Sequence, residues 1–336
     1  MTTARLKDNK QGIAEAAAIL NAGGIVAIPT ETVYGLAASA YDDTAIAKVF
    51  AAKGRPQDNP LIVHICDMDM LFEVTKDLPQ EALRLAERFW PGPLTMVLKK
   101  SDKVADSVSR GLDTVAVRMP KNSVALDIIK QSGLPLAAPS ANISGSPSPT
   151  TAAHVVADLS GRIEGIVEST DCAVGVESTV VTLVTDPPRL LRPGAVTAEQ
   201  LREFLPDLVI DKAVLAEPEK DEKVASPGMK YKHYSPKTNL VLVEGESTAF
   251  AEFVNSKENC AAIAFSEDLE KLSVPSLCYG SAEDADRQAQ TVFALLRQTD
   301  GLKVETVYVH APEKSGVGLA VYNRLIRAAA FEVITL

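Results

Sequence analysis

The chain has 336 residues, 46% of them apolar and 23% charged, and its formal net charge is −10 at pH 7. The length predicts two domains, and the composition is that of a globular protein with enough apolar residues for a core. The negative charge argues against a large nonspecific nucleic-acid binder, whose affinity comes from neutralising phosphates. No apolar run predicts a membrane span and the first residues do not read as a secretory signal, so we expect a cytoplasmic protein without membrane contact.

Four cysteines are scattered along the chain without a CxxC pair and without zinc spacing. They are Cys66, Cys172, Cys260 and Cys278. We expect free thiols in a reducing compartment and no protein-built metal site.

Helices and strands alternate through the first two-thirds of the sequence. Helical periodicity predicts helices over 11–22, 44–53 (with Thr44 near the N-cap), 79–90 and 123–133. Short apolar runs predict strands over 25–29, 61–65, 94–99, 114–120, 134–138, 165–169, 178–184 and 189–194. Interleaving of this kind indicates an α/β domain, assigned to residues 1–210, with a largely mixed sheet.

Residues 211–237 change in character, with charged residues, Pro and Gly around the segment MKYKHY, and read as a linker. Residues 238–336 then predict a small α/β domain, with strands over 239–244, 260–265 and 306–312 and helices over 284–301 and 318–330.

Hydroxyl groups and cations follow the strands of the first domain. Thr30 and Thr32 crowd the turn after the first strand, which is also typical of a turn capped by its own hydroxyls. Lys53 and Arg55 stand on a proline-stiffened loop, which suits a polyphosphate but equally a solvated helix end favoured by the macrodipole. His64 within an apolar strand suits a ligand contact or a satisfied core histidine.

Further polar groups stand on or after later strands. Arg118 shares a strand face with Thr114, so that face must be wet or must meet an anion such as a carboxylate. The loop 139–150 is rich in serine and stiffened by proline, and Ser178 and Arg192 lie at strand ends. Such a set predicts one composite pocket for a nucleotide and a carboxylate rather than an acid–base hydrolase.

These segments together resemble the YrdC-like family of threonylcarbamoyl-AMP synthases. The motifs that carry the resemblance, in order, are PTETVYGL, KGRPQDNPLIVHI, WPGPLT, DTVAVRMP, APSANISGSPSPT, GVESTVV, LLRPG and the linker segment SPGMKYKHYSP. The fold implied is a twisted mixed sheet with helices around a concave pocket, followed by a small Rossmann-like α/β C-terminal domain.

The resemblance implies a division of the site residues between two substrates. For L-threonine it implies Thr32, His64, Arg118, Ala138 and Ser178. For ATP it implies Arg55, Asn59, Thr114, Ser140, Ser148, Arg192 and Tyr231 of the linker. Lys53 and Arg55 are the expected catalytic cations on the triphosphate.

The implied activity is that of a nucleotidyltransferase. L-Threonine, bicarbonate and ATP, with Mg²⁺ as the expected metal, would give threonylcarbamoyl-AMP and pyrophosphate. The product would pass to the complex that forms threonylcarbamoyladenosine in tRNAs reading ANN codons, with weak tRNA contact expected at most. The linker would act as a lid that brings Tyr231 over the nucleotide.

Two other readings compete with this one. Relatives of the fold bind double-stranded RNA without catalysis, which the charge of −10 disfavours. Carbamoyl-adenylate enzymes of hydrogenase maturation share the nucleotide fold, but they carry acylphosphatase and zinc-finger segments that this sequence lacks.

Overall fold

The computed structural model describes residues 2–56, 59–216 and 234–336. In these ranges the first domain is built on one mixed sheet. Its strands are β1 (Ala4–Lys7), β2 (Val26–Ile28), β3 (Gly35–Ser39), β4 (Ile62–His64), β5 (Leu94–Lys99), β6 (Thr114–Arg118), β7 (Leu136–Ala137), β8 (Gly165–Glu168), β9 (Thr179–Thr182), β10 (Arg189–Arg192) and β11 (Val209–Ile210). Its helices are α1 (Lys10–Asn21), α2 (Asp43–Lys53), α3 (Met68–Val74), α4 (Gln80–Phe89), α5 (Asp106–Ser109), α6 (Ser123–Ser132), α7 (Ala152–Leu159) and α8 (Ala198–Arg202).

The strand order is β1-β8-β2-β3-β7-β4-β6-β5-β9-β10-β11, with parallel and antiparallel neighbours. The expectation of a mixed α/β sheet is therefore confirmed. Strands β4 and β6 are parallel, and His64 and Arg118 are partners in their register. Both side chains therefore leave the sheet at the same edge, where the ends of parallel strands usually form binding sites.

Helix α2 shows how local sequence sets up this edge. Its N-cap is Asp42, two residues before Thr44, and the Asp42 carboxylate accepts from the amides of Thr44 and Ala45. The helix ends at Lys53, and Gly54 closes it with a φ of 60°. Glycine suits this left-handed turn because it has no Cβ to clash, and the turn lets the chain leave the helix between Lys53 and Arg55.

The second domain is a parallel five-stranded sheet with order β14-β13-β15-β12-β16. Its elements are β12 (Asn239–Glu244), α9 (Ser247–Asn255), β13 (Cys260–Ala264), β14 (Ser276–Cys278), α10 (Ala285–Gln298), β15 (Thr306–His310), α11 (Gly318–Ala328) and β16 (Val333–Thr335). The sequence prediction missed α9, β14 and β16. The two strands are only three residues long, which leaves too little pattern to recognise.

The two domains share a buried interface. Val33 and Val176 of the first domain belong to the apolar core of the second, together with Tyr234 and the inner faces of α10 and α11. Polar contacts cross the same surface, including Arg297 on Asp158 at 2.7 Å and Arg324 on Glu177 at 2.7 Å. The second domain is thus packed directly against the polar edge of the first sheet. In the described ranges no helix is both long and apolar enough to cross a membrane.

Candidate active site

A concave pocket of about 770 Å³, counting space open to solvent, lies at the strand-end edge of the first domain. Its walls come from the turn after β2, the loop after α2, the ends of β4 and β6, the loop after β7, the start of β9 and the end of β10. Nine residues predicted from the sequence line it: Thr32, Lys53, Arg55, His64, Arg118, Ala138, Ser140, Ser178 and Arg192.

Arg118 is almost fully buried, with 3% of its surface exposed. Its guanidinium donates from Nη1 to Thr32 Oγ1 at 2.8 Å and from Nε to the carbonyl of Gly92 at 3.2 Å, while Nη2 lies 2.7 Å from Glu31 Oε1. Burial acts to raise the pKa of Glu31, but the charge on Arg118 outweighs it, and the pKa lies below its ordinary value. Glu31 thus supplies part of the negative charge that the buried Arg118 guanidinium needs.

His64 faces the pocket beside Arg118. Its side chain is buried, and Nδ1 has no hydrogen-bond partner within the part of the chain that the structure describes. Burial, and next the charge of Arg118, lower the pKa of His64 to about 3. The ring is therefore neutral at pH 7, and its unpartnered nitrogen distinguishes it from a satisfied core histidine.

Lys53 lies at the foot of the pocket with 2% exposure, so it is not a solvated helix end. Its Nζ donates to the carbonyl oxygens of Ser140 at 2.5 Å and Asn142 at 2.8 Å, which ties α2 to the serine-rich loop. Burial, and next the charge of Arg55, hold the pKa of Lys53 well below its ordinary value. Two neighbouring cations of this kind form a local field suited to an anion.

The two threonine hydroxyls of the turn after β2 have different roles, one capping the turn and one facing the pocket. Thr30 Oγ1 donates to the carbonyl of Val33 at 2.6 Å and accepts from the amide of Thr32, as in a capped turn. Thr32 faces the pocket and bridges Thr30 to Arg118. The turn is therefore fixed by one threonine and presents the other.

Ser178 and Arg192 form the wall on the side of β9 and β10. Arg192 donates to the carbonyl of Ser178 at 3.0 Å and to its hydroxyl at 3.1 Å, and Ser178 Oγ lies 2.7 Å from Thr95 Oγ1. Burial lowers the pKa of Arg192 to about 10, so the guanidinium remains charged at neutral pH. Arg192 is thus a third buried cation of the pocket, besides Arg118 and Lys53.

Three predicted residues within the described ranges do not line the pocket. Asn59 is buried next to Pro60, which does line it, and Thr114 lies at the end of β6 away from Arg118. Ser148 is fully buried behind the wall and donates to Glu177 at 2.5 Å. Tyr231 lies outside the described residues.

Asn142 of the serine-rich loop also lines the pocket, as the loop's polar composition predicts. Sequence reasoning missed two further lining residues, Glu177 and Tyr234. Glu177 lies in the motif GVESTVV, next to Ser178, so that motif could have indicated it. Tyr234 ends the linker motif, with 6% exposure and a φ of 64°, and its ring packs 5.1 Å from that of Phe293 in the second domain.

The described ranges contain no group of three His, Cys, Asp or Glu side chains placed to hold a metal ion. The donors that reach the pocket are cations, hydroxyls, amides and the paired carboxylate of Glu177. The chemistry of this site is therefore anion binding and electrostatic stabilisation, with orientation supplied by buried hydrogen bonds.

Comparison with known proteins agrees with this geometry. Residues 18–194 match the Sua5/YciO/YrdC family model, described as telomere recombination, and residues 196–330 match the threonylcarbamoyl-AMP synthase C-terminal domain. Relatives named threonylcarbamoyl-AMP synthase include one from Bacillus subtilis, 44% identical over 99% of this chain and 97% of its own, and one from Pyrococcus abyssi, 43% identical over 95% and 94%.

A solved structure of P. abyssi Sua5 complexed with L-threonine is 39% identical, covers 100% of both chains and superposes with a TM-score of 0.91. The resemblance found in the sequence motifs is confirmed along the whole chain. The protein belongs to the Sua5/YciO/YrdC family, in the form that also carries the threonylcarbamoyl-AMP synthase C-terminal domain.

Proposed function

We propose that this protein is a threonylcarbamoyl-AMP synthase. It converts L-threonine, bicarbonate and ATP into threonylcarbamoyl-AMP, pyrophosphate and water. The observation that carries the proposal is the convergence, in one pocket, of a carboxylate-binding side at Arg118 and His64 with a polyanion-binding side at Lys53, Arg55 and Arg192. The names of the relatives and the threonine bound to P. abyssi Sua5 support the same substrate.

Threonine is held by its carboxylate on Arg118. A guanidinium has five N–H donors; Thr32 and Gly92 accept one each and Glu31 forms an ion pair with Nη2, so donors remain for the ligand. A carboxylate fits such a pair because its two oxygens match the planar fork. Neutral His64 adds an uncharged partner for the amino acid and does not repel its ammonium group.

The reaction then needs two bonds to form in sequence. The deprotonated amine attacks the carbon of bicarbonate, water leaves, and an N-carboxylate is formed. An oxygen of that carbamate attacks the α-phosphorus of ATP, and the bond from phosphorus to the bridging oxygen of pyrophosphate breaks. Positioning and charge stabilisation drive this step rather than a dedicated general base.

The cations on the opposite side of the pocket serve the triphosphate. Lys53, Arg55 and Arg192 offset the charge that develops on the leaving pyrophosphate. Mg²⁺ enters as a part of the ATP substrate, bound through phosphate oxygens and water, since it commonly binds in that way without an all-protein cage. Asn59, Thr114 and Ser148 would contribute to the nucleotide side from behind the wall.

The linker is proposed to complete the nucleotide site as a lid. Tyr234, at its end, already lines the pocket, and Tyr231 is the further residue we assign to the nucleotide. The product is proposed to serve a downstream enzyme complex that transfers the threonylcarbamoyl group to tRNA.

The proposal is tested by incubating the purified chain with threonine, ¹³C-bicarbonate and ATP and detecting threonylcarbamoyl-AMP by mass spectrometry. The expected product carries one labelled carbon, and pyrophosphate is released only when threonine is present. Serine and valine serve as matched amino-acid controls. A folded protein that binds threonine but forms no labelled adenylate would refute the proposed reaction.

A further inference from the structure

Arg324 links the second domain to the pocket wall. It lies in α11 with no exposed surface, and its Nε donates to Glu177 Oε2 at 2.7 Å. Its Nη2 donates to the carbonyl of Pro193 at 3.0 Å and reaches that of Glu177 at 3.3 Å. One side chain of the second domain therefore holds the residues that adjoin both Ser178 and Arg192.

Glu177 in turn connects Arg324 to the serine-rich loop. Its Oε1 accepts the hydroxyl hydrogen bond of Ser148 at 2.5 Å. Burial acts to raise the pKa of Glu177, but the charges of Arg324 and Arg192 outweigh it, and the pKa lies below its ordinary value. The carboxylate is therefore ionised at neutral pH, and both of its oxygens are engaged.

An ionised carboxylate in a pocket for a polyphosphate requires compensation. Glu177 lines the same pocket as Lys53 and Arg192, where its charge would repel phosphate and would attract the nearby guanidinium. Arg324 neutralises that charge from behind the wall, outside the pocket lining. The pair thus keeps an acceptor for Ser148 without a net negative charge beside the ligand.

The end of the linker and the second domain each hold the serine-rich loop at one further point. The amide of Ser235 donates to the carbonyl of Gly145 at 2.9 Å, and Arg297 Nη2 donates to that of Pro147 at 2.6 Å. The loop between them carries Ser146, which lines the pocket, and leads to Ser148. The serine-rich loop is therefore anchored both by the linker and by the second domain.

We propose that Arg324 is a positioning residue for the nucleotide side of the site, acting through Glu177 and thereby on Ser148 and Arg192. The inference rests on the proposed function for the identity of the anion, ATP. It assigns the second domain a direct part in nucleotide binding. Threonine binding centres on Arg118 and is expected to change less, only through Ser178, the neighbour of Glu177.

The test compares the full-length wild type with R324Q, E177Q/R324Q and R324K. We expect R324Q to raise KM for ATP about tenfold or more, equivalent to ~1.4 kcal/mol, because Glu177 is left uncompensated. KM for threonine should change less than KM for ATP, because the contacts of Arg324 reach Glu177 and Pro193 and not Arg118. In E177Q/R324Q the charge is gone while a Gln oxygen can still accept from Ser148, so KM for ATP should return to within about threefold of wild type. R324K retains the positive charge but lacks the planar fork of the guanidinium, so its KM for ATP should lie between those of the wild type and R324Q.

The matched control is R327Q, which removes another buried arginine of α11, one that donates to the carbonyl of Ala213 at 2.7 Å. It tests for general damage to the domain interface and should leave KM for ATP within about twofold of wild type. Unfolding curves verify that each variant is folded. If R324Q does not fold, ATP binding by the folded E177Q/R324Q is the test. Affinity near that of the wild type supports the inference, and lost affinity overturns it.

An unchanged KM for ATP in R324Q would overturn the inference. So would a double variant as impaired as R324Q, because that result means simple loss of domain contact. Calorimetric binding of ATP is measured beside product formation. A wild type that binds ATP but makes no threonylcarbamoyl-AMP would reject the proposed reaction while leaving the comparison of ATP affinities intact.

Discussion

The replacement R118Q tests the threonine side of the site most directly. It removes the charge that anchors the amino-acid carboxylate and retains a side chain of similar length. It also leaves Glu31 without the guanidinium that now lies 2.7 Å away, in surroundings that expose only 10% of the Glu31 side chain. Two losses are therefore expected, one in binding and one in stability.

The two losses have different sizes. Hydrogen bonds to charged groups contribute about 1.5–3 kcal/mol, so threonine affinity should fall roughly 10- to 150-fold. Breaking a buried ion pair by removing one partner costs about 3–5 kcal/mol, so the free energy of unfolding should fall by an amount of that order. Threonine titration calorimetry and urea unfolding measure the two quantities separately.

The double variant E31Q/R118Q separates them. It contains no unpaired buried charge, so most of the lost stability should return, whereas threonine affinity should remain low because the anchor is absent. The single variant E31Q is the control, because it retains the Arg118 guanidinium. Unchanged threonine affinity in R118Q, or recovery of affinity in the double variant, would refute the assignment of Arg118 as the anchor.

Three further predictions concern other parts of the pocket. In the wild type, ATP affinity should fall as pH rises through the lowered pKa of Lys53, since only the protonated amine attracts phosphate. K53M should show no such pH dependence, and its kcat/KM for ATP should be about 100-fold lower. The pKa of His64 is about 3 in the folded protein and about 6.5 in the unfolded chain, so between these pH values protons bind the unfolded chain preferentially. His64 should therefore lower the free energy of unfolding by about 1.4 kcal/mol per pH unit below pH 6.5. In urea unfolding, H64Q should lose less stability than wild type between pH 6.5 and 5, and an identical loss would contradict the buried neutral ring. Y234A should raise KM for ATP about two- to tenfold, whereas Y234F should retain most of the affinity for ATP. Y231A should also raise KM for ATP. Normal ATP kinetics in both Y234A and Y231A would rule out the lid.

The sequence by itself determined the fold class and most of the site. Periodicity and strand length gave the mixed α/β order of the first domain because alternation of apolar residues is a local property. Polar residues at strand ends indicated Thr32, Ser178 and Arg192, since the ends of strands in one sheet must meet, and polar residues within apolar strands indicated His64 and Arg118. The family motifs then indicated which of these residues serve which substrate.

The tertiary structure alone decided which polar groups pair with one another. Burial distinguished Lys53 from a solvated helix end, and the unpartnered nitrogen of His64 distinguished it from a core histidine. Arg324 was beyond sequence reasoning because it lies 147 residues from Glu177 and belongs to an ordinary amphipathic helix. Its role exists only because packing of the second domain brings that helix against the pocket wall, where a buried charge must find a partner.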